Sequence, residues 1–81
     1  MTPVLVRPFD IVIQRTGEDF VLWQVAPKIG IKGIFSERFA SRLLTSQRRS
    51  EVERHAKVQV ASRPGSLVYM TSRAGNLHPL A

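Results

Sequence analysis

The sequence predicts an α+β domain: an antiparallel sheet of three to five strands, with helical residues 37–62 covering one face. Three observations carry this. Residues 9–15 and 20–25 are β-rich runs joined by a short polar break that contains a glycine. Residues 37–62 read as helical and end at an Arg-Pro-Gly stop. Residues 67–71 (Leu-Val-Tyr-Met-Thr) return to strand composition. A chain of 81 residues makes one domain, residues 1–81.

The first run alternates. Phe9, Ile11 and Ile13 point one way, and Asp10, Val12 and Gln14 the other. Thr16-Gly17-Glu18-Asp19 breaks it, and Phe20 to Val25 resumes it, so the pair reads as a hairpin. Val21, Trp23 and Val25 share a face, with Trp23 expected in the core. Pro27 closes this strand. Residues 29–35 stay open between a third strand weakened by Gly30 and Gly33 and a loop approaching another molecule. Val4-Leu5-Val6 reads as an added strand or a partner contact.

Ser36 is the expected N-cap of a helix over Glu37 to Ser46. At about 100° per residue, Phe39 and Leu43 form one stripe and Arg38, Arg42 and Arg49 a neighbouring one. An unbroken helix would put Val52, Ala56 and Val60 on the Arg stripe. A break is therefore expected near residues 46–50, with one bent helix as the alternative. Ser50-Glu51-Val52-Glu53 fits a capping box for a second helix, Glu51 to Ser62. Arg63-Pro64-Gly65 stops it. Ser72 to Asn76 reads as a turn, and Leu77-His78 as a last short strand before Pro79.

Composition narrows the function. There is no Cys, hence no disulfide framework and no cysteine nucleophile. With no apolar run near the ~20 residues of a membrane span and no export signal, the expected setting is the cytoplasm, with no membrane partner. Glu51 and His55 stand at i, i+4, too few ligands for a metal site. His55 and His78 are the only candidate bases, and no Ser is matched to either by spacing. Neither a Walker-type nor a Rossmann Gly motif is present. The expectation is a non-catalytic protein with no cofactor.

Charge points to partners. The net charge is +6. Residues 27–63 carry nine bases and three acids and so hold the whole surplus. Such a local potential attracts phosphate-rich molecules. Lys28, Lys32, Arg38, Arg42, Arg48 and Arg49 are the expected nucleic-acid contacts, to DNA or RNA, because the guanidinium fork suits phosphate. The bland reading is a solvated, solubilising face. The rival function is a protein-interaction or regulatory adaptor, acting as a homodimer through an exposed sheet edge.

Two resemblances add to this. His55-Ala56-Lys57, Ala61 to Tyr69 and Ala74-Gly75-Asn76-Leu77, with Trp23 on the earlier hairpin, resemble a small bacterial domain family of unknown function. That family implies a hairpin, a helix, a strand and a turn, and no activity. The basic segment 36–49 departs from its pattern. Gly30-Ile31-Lys32-Gly33 resembles the Gly-x-x-Gly loop with which the KH family clamps phosphates, although a KH loop joins two helices and here a hairpin precedes it.

Overall fold

The computed structural model describes residues 5–7, 9–25, 31–32, 35, 37–71 and 76–80. In chain order these form β1 (Leu5–Val6), β2 (Ile11–Thr16), β3 (Asp19–Val25), β4 (Ile31–Lys32), a 3-10 turn (Glu37–Phe39), β5 (Ala40–Ser46), α1 (Arg49–Ala61), β6 (Val68–Thr71) and β7 (Leu77–Pro79). Five strands make one sheet in the order β5-β3-β2-β6-β7, and β1 pairs with β4 in a separate two-stranded ladder. The class is α+β, with one helix packed on a mostly antiparallel sheet.

The hairpin stands as expected, with a tighter turn. Thr16 pairs with Asp19, leaving a two-residue loop. Gly17 sits at its first central position with φ +60°, where a hairpin of right-handed twist needs a residue free to adopt positive φ. β5 pairs antiparallel to β3, and β6 pairs parallel to β2. The sheet is therefore mixed rather than purely antiparallel. β5, α1 and β6 form a β-α-β crossover whose two strands run in the same direction and enclose the hairpin between them.

Residues 40–46 are a strand, not the helix expected over 37–46. The physical reason is tertiary. Helix and strand propensities of Ser, Arg, Leu and Thr differ by only a few tenths of a kcal/mol, whereas pairing satisfies one long edge of β3. Leu22 faces Leu44 while Trp23 faces Arg42, so Leu43 is the extra residue of a bulge and is 40% exposed. The Phe39–Leu43 spacing thus did not mark a buried stripe. The expected cap at Ser36 and strand end at Pro27 lie outside the described residues.

The helix of the second half is real and begins two residues early, at Arg49. Arg48 occupies the cap position with an extended backbone and no side-chain cap. The expected Ser50–Glu53 capping box does not form. Instead the Ser46 hydroxyl accepts the Arg48 N–H at 3.1 Å and donates to Glu51 Oε2 at 3.0 Å. Glu53 turns to Arg49. Gly65, at φ +95°, reverses the chain after Arg63-Pro64 as expected.

The sheet buries apolar side chains on both faces. On one, Ile11, Ile13 and Leu22 pack with Val52 and Ala56 of α1. On the other, Val12, Val25, Tyr69 and Leu77 cluster, with Trp23 and Phe35 against them. Trp23 is half buried rather than central. Its Nε1–H donates to Gln14 Oε1 at 3.0 Å, and its ring meets Phe35 at 5.7 Å between centroids.

One polar group is fully internal. Asp10 is 1% exposed. Its Oδ2 accepts the Arg7 N–H at 2.8 Å and its Oδ1 the Leu67 N–H at 2.9 Å. Two backbone donors satisfy the carboxylate where water cannot. Next to it, Phe9 has φ +68°. Phe9 donates its N–H to the Val25 carbonyl, and Val25 donates back to the Asp10 carbonyl. Two residues thus oppose one, a bulge of the kind that usually places glycine at the positive-φ position. A phenylalanine there costs about 1–2 kcal/mol.

Two substitutions test this core. Val52→Ala lowers unfolding free energy by about 2 kcal/mol through lost burial and a cavity. Val58→Ala, at a position 62% exposed, changes it by under about 0.5 kcal/mol. Equal urea midpoints for the pair would contradict the docked face of α1. Asp10→Ala costs about 2 kcal/mol, because two part-buried amides lose their acceptor and the junction they hold is released. Glu18→Ala, in the exposed hairpin loop, is the control, and an equally small effect at both sites would refute the role given to Asp10.

Candidate functional site

The expected cations do not form one patch. Lys28 lies outside the described residues, and Lys32 takes its backbone place in β4. Arg38 is exposed in the 3-10 turn. Arg42 is exposed on β5 directly opposite Trp23. Residues opposite each other on a ladder share a face, so Arg42 stands on the Trp23 side of the sheet, away from α1. Arg48 and Arg49 begin the helix on the other side, both exposed. The sheet separates the two groups. Gly30 and Gly33 are outside the described residues, while Ile31 and Lys32 pair with Val6 and Leu5.

The helix itself changes the charge count. Arg49 Nε donates to Glu53 Oε1 at 2.8 Å, the one ion pair among the described residues. Glu51 is held by the Ser46 hydroxyl. Both acids of α1 are therefore hydrogen-bonded, but only Glu53 is paired with a cation. Val52 and Ala56 point into the core. At about 100° per residue the opposite side carries Ser50, Arg54, Lys57, Val58 and Ala61, all exposed. That outward face carries Arg54 and Lys57, with Glu51 at its edge beside Val58.

Arg54 and Lys57 were counted in the basic stretch but left out of the expected contacts. The signal that finds them is angular. Val52 and Ala56 define the buried stripe, and three-residue spacing puts Arg54 and Lys57 side by side on the far surface. Residues 28–49 gather no such pair, because Arg38, Arg42 and Arg49 lie in three different elements. His55 is exposed one turn from Glu51, and no group of three or more His, Cys, Asp or Glu among the described residues is placed to hold a metal ion. No helix among the described residues is long and apolar enough to cross a membrane. The chain matches none of the family models, curated proteins or solved structures with which it was compared.

Proposed function

We propose that the protein is a non-catalytic binding module that attaches to nucleic-acid phosphates through the outward face of α1. The observation that supports this is the pair Arg54 and Lys57, adjacent on the outward face of the helix. Both are exposed, while the helix's own acids are occupied by Ser46 and Arg49. Arg48 extends the positive field toward the start of the helix, and the chain as a whole carries +6. Phosphate binding by such a face is electrostatic and indifferent to sequence.

Fluorescence anisotropy with random duplex and single-stranded oligonucleotides tests it. Contact with two or three phosphates gives a log–log salt slope of about −2 to −3. Arg54→Ala/Lys57→Ala reduces that slope by about 2, and Arg42→Ala on the opposite side leaves most of it. Absence of binding at low salt, or a double variant that binds like the parent, would overturn the reading.

A second reading has its own observation. β5 is a seven-residue edge strand whose only partner among the described residues is β3. The other edge, β7, ends in Pro79, which has no N–H to offer a partner strand. Antiparallel pairing of two β5 edges would join two copies into one sheet. Light scattering over a wide concentration range then shows a dimer that Leu43→Lys disrupts. A monomer at all concentrations would dismiss this reading.

A further inference from the structure

An open cleft of about 580 Å³ lies where the chain enters β2 and leaves α1, lined by Arg7, Phe9, Asp10, Ser62, Arg63 and Ser66 among others. It sits beyond the C-terminal end of the helix, at the opposite end from Arg48 and Arg49. Its walls are tied together by Asp10, which bonds backbone amides on both sides. Both of its oxygens are engaged. Arg7 and Arg63 are exposed, so the lining carries two guanidinium groups against one internal carboxylate.

The arrangement of Arg63 is specific. Its guanidinium carbon stands 3.7 Å from the centre of the Phe9 ring. That ring is held in place by the positive-φ bulge and the two hydrogen bonds with Val25. Stacking leaves the planar fork partly pre-ordered, so less rotamer entropy is lost when it meets a ligand. One side of the plane lies on Phe9. Tyr69 adds no competing charge. Burial first, and then the Asp10 carboxylate, push its phenol above its ordinary value of 10.0, opposed by Arg7, so it is neutral near pH 7.

We infer that this cleft is a nucleotide subsite, in which Arg7 and Arg63 hold one phosphate and a base stacks on the free side of the Arg63 plane. Guanidinium planes stack on bases and their edges donate to phosphate, and a platform of Phe9, Arg63 and base extends a stack that already exists. The inference rests on the nucleic-acid reading for its ligand class and adds a second point of attachment at the far end of α1. The nucleotide comes either from a strand end or from the free pool.

NMR titration of the full chain separates these sources and tests the site. Adenosine and uridine 5′-monophosphate are expected to shift the amides of Phe9, Arg63, Gly65 and Ser66. Inorganic phosphate shifts the same amides more weakly. Arg63→Gln weakens the mononucleotide by about tenfold or more. Arg63→Lys, which keeps the charge without the plane, also weakens it. Arg54→Ala/Lys57→Ala leaves these shifts intact, so loss of duplex binding in that variant bears on the helix face alone. Tighter binding of a 5′-phosphorylated oligonucleotide assigns the source to a strand end, and tighter binding of the mononucleotide assigns it to the free pool. Shifts confined to α1, no shifts at millimolar mononucleotide, or an Arg63→Gln variant that binds like the parent would each sink the proposal.

Discussion

The architecture turns on how Asp10 is satisfied. A carboxylate taken out of water needs donors of its own, and here they come from Arg7 before the first long strand and Leu67 before β6. Ile11 donates to the Leu67 carbonyl at 2.9 Å on the same rung. Those contacts set the register of the parallel pair, in which Ile11, Val12 and Ile13 face Val68, Tyr69 and Met70. A one-residue slip would move Tyr69 out of the Val12–Val25–Leu77 cluster and onto the face that α1 covers. The parallel pair is also the place where chain order gives no hint of adjacency, since 57 residues separate Asp10 from Leu67. A single buried acid therefore holds the long-range junction, and the loop it fixes is the one that carries Arg63.

With that junction set, the sheet has two apolar faces and one helix. α1 meets Ile11, Ile13 and Leu22 through Val52 and Ala56, and the narrowness of that contact leaves the rest of the helix wet. Its polar surface is then free to be shaped by charge. Ser46 and Arg49 engage the two acids, and the basic side chains left over point away from the sheet. The outward basic residues follow from a helix whose buried stripe is a single line, Val52 and Ala56 one turn apart with Val60 partly buried beyond them.

Much of the fold was legible because local signals agreed with tertiary needs. The alternation of Ile11, Val12 and Ile13, the Gly17 turn and the Arg63-Pro64-Gly65 stop each belong to one element and no other. The break before the second helix was readable from angles alone, since Val52 and Ala56 could not share a stripe with Leu43. Residues 40–46 were misread because their pattern is weak. Leu43 occupies a bulge, so its spacing from Phe39 imitated a helix face without burial. The parallel β2–β6 pairing had no local signature. Asp10 looked like an outward polar residue of an alternating strand; only its position against Leu67 makes it internal. The contacts expected at residues 28–49 went the same way, because one helix would have gathered Arg38, Arg42 and Arg49 on a stripe, whereas they lie in the 3-10 turn, in β5 and in α1.

The outer face of α1 and the cleft beyond its C-terminal end differ in kind. Arg54 and Lys57 are exposed on the helix surface and carry charge without a fixed plane. Arg63 is held in a plane by Phe9, whose own backbone is strained to place it. Strain of this sort persists only where surrounding bonds over-determine it, and here Val25 and Asp10 supply them. A glycine at residue 9 would make the bulge more cheaply but would leave the guanidinium without its platform. An aromatic side chain held there at an energetic cost keeps the Arg63 guanidinium in a set plane and not merely in a charged neighbourhood.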